Sequence, residues 1–270
     1  MKPQEIKTNQ YFSLKRLFLI MKRDVLTHYR TVLIAFAAVA GFAIFASTVS
    51  MFNRNQGEFH LIYYFLMLYI GGFIFSSRAF REMYNAQKSY TYVTLPASTP
   101  EKFVERWFLT SVGYVMGAFA AYSVIALISE GINRALFGYS HALLNPAGRT
   151  FLLGAAVFLV LQGIFFAGAV YFRKNPLIKT ILMITLAAIA LLVIAIIAIR
   201  LISPGFFEFT QRTGGGFNSL RELAAWLGLT EEGLHLLGRT IWIVIRLVFW
   251  AVLAPCCWVL SYLKFRKIEV

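Results

Sequence analysis

Residues 31–52, TVLIAFAAVAGFAIFASTVSMF, hold no charged side chain. A helix needs about 20 mostly apolar residues to cross the hydrocarbon layer of a bilayer, and this run has them. Five more follow at Leu61–Ser77, Trp107–Ser129, Thr150–Phe172, Thr180–Ile199 and Thr240–Leu263. Leu61–Ser77, stopped by Arg78, is the shortest. Lipid cannot satisfy open backbone groups, so each run is read as a helix. The prediction is an all-α polytopic membrane protein: a cytosolic amphipathic segment over residues 1–30, then a single six-helix transmembrane domain over residues 31–270.

Composition agrees. The chain is 59% hydrophobic and 14% charged, with a mean hydropathy of +0.68 over 270 residues. That is more apolar surface than a soluble domain of this length can hide, whereas lipid covers it. The net charge of +14 and pI near 10.0 would suit nucleic acid, but the cations lie in short blocks between the apolar runs. Such blocks fit membrane topology and exclude a nucleic-acid partner. With the N-terminus inside, eighteen Lys and Arg fall inside and seven outside, none of the seven a Lys; Arg246 lies within a run. The positive-inside rule therefore places both termini in the cytosol. The first run begins too late and is too long for a cleaved leader, so it is read as a retained span. The cysteines, Cys256 and Cys257, are adjacent and offer neither a disulfide nor metal-ligand spacing.

Residues 11–30, YFSLKRLFLIMKRDVLTHYR, place Leu14, Leu17, Phe18, Met21, Val25 and Tyr29 at helical spacing, with Arg16, Arg23 and Arg30 seven apart. The pattern predicts a helix lying along the inner leaflet, its cations among anionic headgroups. Two roles stand open for it: a topology anchor, or an elbow that also touches a cytosolic partner.

The connections differ in length. Asn53–His60 reads as a short outer turn, Glu130–Arg149 as an outer loop, and Arg173–Pro176 as a tight inner turn that pairs spans four and five as a hairpin. Residues 200–239 are longer. They carry Pro204-Gly205, Gly214–Gly216, a capping box at Ser219–Glu222 and a second helix start at Thr230-Glu231-Glu232, predicting two small outer helices. Gly214–Gly216 lacks the Lys-Ser/Thr of a phosphate loop.

Much familiar chemistry is missing. Ion-coupled carriers bury a carboxylate at mid-membrane, whereas Glu58 and Glu130 are read at span ends. The histidines His28, His60, His141 and His235 are read as single residues near interfaces, without the pairing of a metalloprotease. There is no Walker A sequence, nucleophile elbow or redox cysteine pair. The reading is a non-enzyme with no catalytic, cofactor-binding or metal-ligating residues. Two polar residues inside spans are candidates for a substrate path. Arg246 either snorkels to the outer headgroups or binds an anionic group; Gln162 either packs helices or lines a path. Gly113-x-x-x-Gly117 with Ala121 reads as a small-residue stripe for close helix approach.

The most distinctive stretch is the second inner loop, SSRAFREMYNAQKSYTYVTLPASTPEKFVERW, residues 76–107. Arg78, Arg81 and Glu82 are read as a charged extension of span two. Pro96 and Pro100 forbid helix at the residues before them, giving a turn. Ser98-x-x-Glu101 is then a capping box, and a helix starting there runs through Lys102 and Arg106 into span three.

Phe80, Glu82-Met83, Ser89-Tyr90, Leu95–Ser98, Glu101–Phe103 and Arg106-Trp107 together resemble the membrane subunits of bacterial ABC-2-type exporters. The layout of an N-terminal amphipathic helix, six spans and an outer insert before the last span is also similar to that family. The resemblance implies a multi-pass permease of the bacterial cytoplasmic (inner) membrane that pairs as a homo- or heterodimer. It implies a separate ABC ATPase subunit on the inner face and no cofactor of the permease's own. The loop between spans two and three would carry the coupling helix, with Arg78, Arg81, Glu82, Tyr90, Pro96, Ser98, Glu101, Lys102 and Arg106 as coupling candidates. The inner turn between spans four and five is short for that family, which leaves coupling to this loop and the N-terminal helix. The expected cargo is an amphiphile, lipid or peptide. The alternative is a non-transporting membrane protein that docks a cytosolic partner through residues 78–106.

Overall fold

The computed structural model describes residues 12–52, 59–84, 97–202 and 230–269, and every regular element in it is helical. Among these described residues, six helices are long and apolar enough to cross a membrane: Leu14–Phe52, Phe59–Ser77, Thr99–Phe137, Arg149–Tyr171, Pro176–Ala198 and Gly238–Ile268. The chain is thus a multi-pass membrane protein in architecture. Its contacts divide into one unit of Met1–Leu177 with Ala254–Val270, and a second of Ile178–Leu253.

Helix α1 runs unbroken over Leu14–Phe52. The segment before residue 31 is therefore not a separate element bent from the first span but its direct continuation, since nothing between Leu14 and Phe52 interrupts the backbone ladder. Its inward face is also not the apolar one. Leu14, Phe18 and Val25 are exposed, while Asp24 is buried.

The second span is α2 (Phe59–Leu66), a π-helical turn at Met67–Gly71 and α3 (Gly72–Ser77). The π-turn widens the helix, and Tyr114 Oη donates to the Met67 carbonyl at 3.1 Å. Gly72 lets this helix approach its neighbours, because a Cβ there would overlap the Phe158 ring. Contrary to the expected charged extension, α3 stops at Ser77 and residues 78–84 form turns. Burial of Phe80 among Phe103, Phe166 and Phe265 draws the chain back into the core, leaving Arg78 and Arg81 exposed.

Helix α4 (Thr99–Thr110) begins at the Ser98 cap, as the sequence pattern predicts. It breaks at Ser111, with φ −103° and ψ −98°, before α5 (Val112–Phe137). Thr110 and Ser111 hydroxyls donate back to the carbonyls of Arg106 and Trp107 at 2.8 and 2.6 Å, a habit that bends helices. Helix α5 does not end near Ser129. It continues to Phe137 and is closed by Gly138 at φ 79°, which a side-chain-free residue adopts without strain. The loop that follows is accordingly confined to residues 138–148.

Helix α6 (Arg149–Tyr171) is followed by a tight turn with Asn175 at φ 51°. Helix α7 (Pro176–Ile202) buries none of its apolar window, with Leu182, Met183, Leu191 and Ile194 all exposed. Such a surface is tolerable in lipid. The start at Thr230-Glu231 does not open a separate small helix. It opens α8 (Glu231–Leu247), which continues through a π-turn at Val248–Leu253 into α9 (Ala254–Glu269). Pro255 explains that π-turn, since its missing N–H leaves the preceding turn one bond short. The predicted helix at Ser219–Glu222, Pro204-Gly205 and Gly214–Gly216 lie outside the described residues.

Candidate functional site

In the first unit, polar side chains gather at two ends of the bundle. At the basic end, Glu101 is fully buried and ties the starts of two helices. Its Oε2 accepts the Ser98 backbone N–H at 2.8 Å, the return half of a capping box. Its Oε1 accepts the Ser13 N–H at 2.6 Å, at the start of α1, and pairs with Arg16 at 3.1 Å.

One helical turn further on, Arg106 holds three carboxylates. Its guanidinium lies 2.6 Å from Asp24 on α1, 2.9 Å from Glu82 in the 78–84 turn and 3.2 Å from Glu105 beside it. Arg23 closes the group on Asp24 at 2.5 Å, and His28 stands 3.7 Å from Glu82. Asp24, Glu105 and Lys102 are all buried. A planar fork suits this task, since it can present several N–H donors at once. Below it, Trp107 and Trp258 meet edge to face at 5.2 Å. Tyr84 donates to the Val170 carbonyl, and burial pushes its phenol above the ordinary tyrosine value.

The sequence-derived coupling residues thus separate into groups. Glu82 pairs with Arg106, Ser98 and Glu101 form the cap at the start of the same helix, Lys102 is buried on that helix, and Arg78 and Arg81 are exposed. Tyr90 and Pro96 lie outside the described residues. Gln162 is buried and donates to Thr110 Oγ1 at 3.0 Å. Arg246 is exposed on α8. The Gly113–Gly117 stripe does not act as one seam: a Cβ on Gly117 would touch nothing within 4 Å, and the nearest atom to one on Gly113 is the Phe108 carbonyl oxygen of α4, across the Ser111 break, at 3.0 Å. The close approaches occur at Gly72 and Gly154 instead, where a Cβ would overlap Phe158 and Phe65.

The opposite end corrects two sequence readings. Glu130 is not at a helix end, and His60 and His141 are not isolated. Because α5 runs on to Phe137, Glu130 sits inside it, 6% exposed, and His60 from α2 and His141 from the 138–148 loop converge on it. Glu130 Oε1 lies 2.7 Å from His60 Nε2 and 3.1 Å from His141 Nδ1. Ser47 and Asn133 donate to the same oxygen at 3.2 and 3.0 Å. The other oxygen, Oε2, accepts the His141 backbone N–H at 2.6 Å. Two imidazoles and a carboxylate, with ligand atoms all within 4.8 Å of one another, are a donor set suited to a divalent metal. The available sequence signal was Gly138, whose position as a helix stop places Glu130 two turns inside a helix.

Searches against known protein families, curated proteins and solved structures return no match. The class that the fold defines is a helical multi-pass membrane protein, with six helices among the described residues long and apolar enough to span.

Proposed function

We propose that the chain is the membrane subunit of an ABC-type exporter, moving an amphiphile, lipid or peptide with energy from a separate cytosolic ATPase. The observation that carries this reading is the bridge made by Arg106. It links α1 at Asp24, the 78–84 turn at Glu82 and, through its own helix, span three. The segment between Tyr84 and Ala97 is therefore anchored at both ends to one ion-paired frame. A coupling loop has this requirement: a push from an ATPase must reach the spanning helices without being lost in a slack connection. The resemblance of residues 80–107 to ABC-2-type permeases supports the same assignment, as does the cytosolic placement of this end by the positive-inside rule. Pairing with a second permease chain in the bacterial inner membrane belongs to this reading.

The test is purification of the tagged chain from its native membrane in mild detergent, with mass spectrometry of whatever accompanies it. The expected result is a stoichiometric subunit carrying Walker A and B motifs. Recovery of a different cytosolic protein, with no ATPase at any detergent concentration that preserves the fold, would favour a docking protein without transport.

A further inference from the structure

The geometry points to a transition-metal site at the end of the bundle away from the basic frame, with His60 Nε2, His141 Nδ1 and Glu130 Oε1 as ligands and Zn²⁺ as the best match. It is independent of the exporter reading.

Three observations carry it. The first is crowding at one atom. Glu130 Oε1 has His60, His141, Ser47 and Asn133 within 3.2 Å, twice what its two lone pairs can accept as hydrogen bonds. The second is a mismatch at His141. Ser50 Oγ lies 2.7 Å from the Ser47 carbonyl and 3.0 Å from His141 Nε2. In the arrangement where it donates to that carbonyl it accepts from Nε2–H, and the His141 Nδ1 lone pair then faces a carboxylate oxygen. A cation between those two acceptors satisfies both. The third is the outer shell. Metal-bound imidazoles commonly donate their second N–H to a protein oxygen. Here His141 has Ser50 Oγ, and His60 Nδ1 has Tyr122 Oη at 3.4 Å.

Ligand atoms on a tetrahedral ion with bonds of about 2.0–2.1 Å stand roughly 3.3–3.4 Å apart. The two imidazole–carboxylate separations of 2.7 and 3.1 Å reach that by opening, and the two imidazole nitrogens, within 4.8 Å of each other, by closing by at most about 1.4 Å. Imidazole and carboxylate suit Zn²⁺, and three protein ligands leave a fourth position for water or Ser47 Oγ. The three residues are 1–6% exposed and come from α2, α5 and the 138–148 loop, so a bound ion would pin that loop to the bundle.

The experiment uses the full chain in detergent, stripped with chelator and reloaded with Zn²⁺ alone, then with Co²⁺ as a coloured substitute. The expected results are one Zn²⁺ per chain, a tetrahedral Co²⁺ spectrum, and a first shell of nitrogen and oxygen with two imidazoles by X-ray absorption. Glu130→Gln and His141→Ala, checked for native helicity, should weaken binding by more than about a hundredfold. Ser50→Ala, which leaves every ligand in place, should weaken it by about 10–100-fold, as loss of an outer-shell partner does. X-ray absorption on the unsubstituted protein keeps the test open if a variant fails to fold. Three results would each overturn the site: no Zn²⁺ bound by the folded wild-type chain, a sulfur shell that places the ion on Cys256 and Cys257, or equal binding by wild type and the ligand variants.

Discussion

Replacing Arg106 with alanine removes the cation on which the basic end is built. Arg106 is 11% exposed, and the carboxylates it serves include Asp24 at 5% and Glu105 at 1%. This is not a surface pair screened by water, for which about 0–1 kcal/mol would be expected. The substitution leaves Arg23, 2.5 Å away, paired with Asp24, while Glu82 and Glu105 lose a partner. Breaking a buried pair from one side costs about 3–5 kcal/mol, because the abandoned charge stays buried. Arg106→Ala should therefore destabilise the protein by about that much. The assay is unfolding in mixed detergent–SDS micelles, followed by tryptophan fluorescence, with Trp107 and Trp258 as reporters near the cluster. Asp24→Asn in the same background should recover part of the loss, giving a coupling of about 1–3 kcal/mol in a double-mutant cycle. Arg106→Lys should fall between, since an ammonium cannot hold three carboxylates in a planar fork. A loss below about 1 kcal/mol for Arg106→Ala, the value of an exposed pair, would refute the frame as a buried structural unit.

Gly72→Ala forces a Cβ against Phe158 and should cost about 1–3 kcal/mol by overpacking, whereas Gly117→Ala meets open space and should be neutral in the same unfolding assay. In a variant lacking Cys256 and Cys257, single cysteines at Asn55, Ser140 and Gln211 should react with an impermeant thiol reagent added outside, and one at Ser89 should not; outside labelling of Ser89 would overturn the inward termini. Arg246→Lys should preserve transport and Arg246→Leu should insert at least as well as wild type, removal of the charge easing insertion by up to about 3 kcal/mol. Loss of transport in both, at normal expression, would make Arg246 a substrate contact.

The helices were legible in the sequence because lipid imposes a length and a composition on every span, and those are local properties. The start of α4 was legible for the same reason: Ser98, Pro100 and Glu101 act within one turn. The ends of α3 and α5 were not. Ser77 is a helix end because Phe80 finds Phe166 and Phe265, partners far along the chain. Both polar ends were hidden likewise. Asp24 and Arg106, or His60 and Glu130, are too far apart in sequence for any periodicity to join them. Each then reads as a lone polar residue near an interface, and only the packing of α1, α2, α4 and α5 brings them together. The glycine stripe misled for the converse reason. Small residues at helical spacing permit close approach, but the partner decides where it happens, and here it happens at Gly72 and Gly154.

A photo-crosslinking residue at Ser89, in the membrane of living cells, tests most directly the proposal that the loop between the second and third spans engages an ATPase. Irradiation should join the chain to a soluble subunit with Walker motifs, and Arg106→Ala, by loosening the frame that anchors the loop, should reduce that product. A crosslink to no protein, or to a partner without an ATPase fold, would contradict the claim.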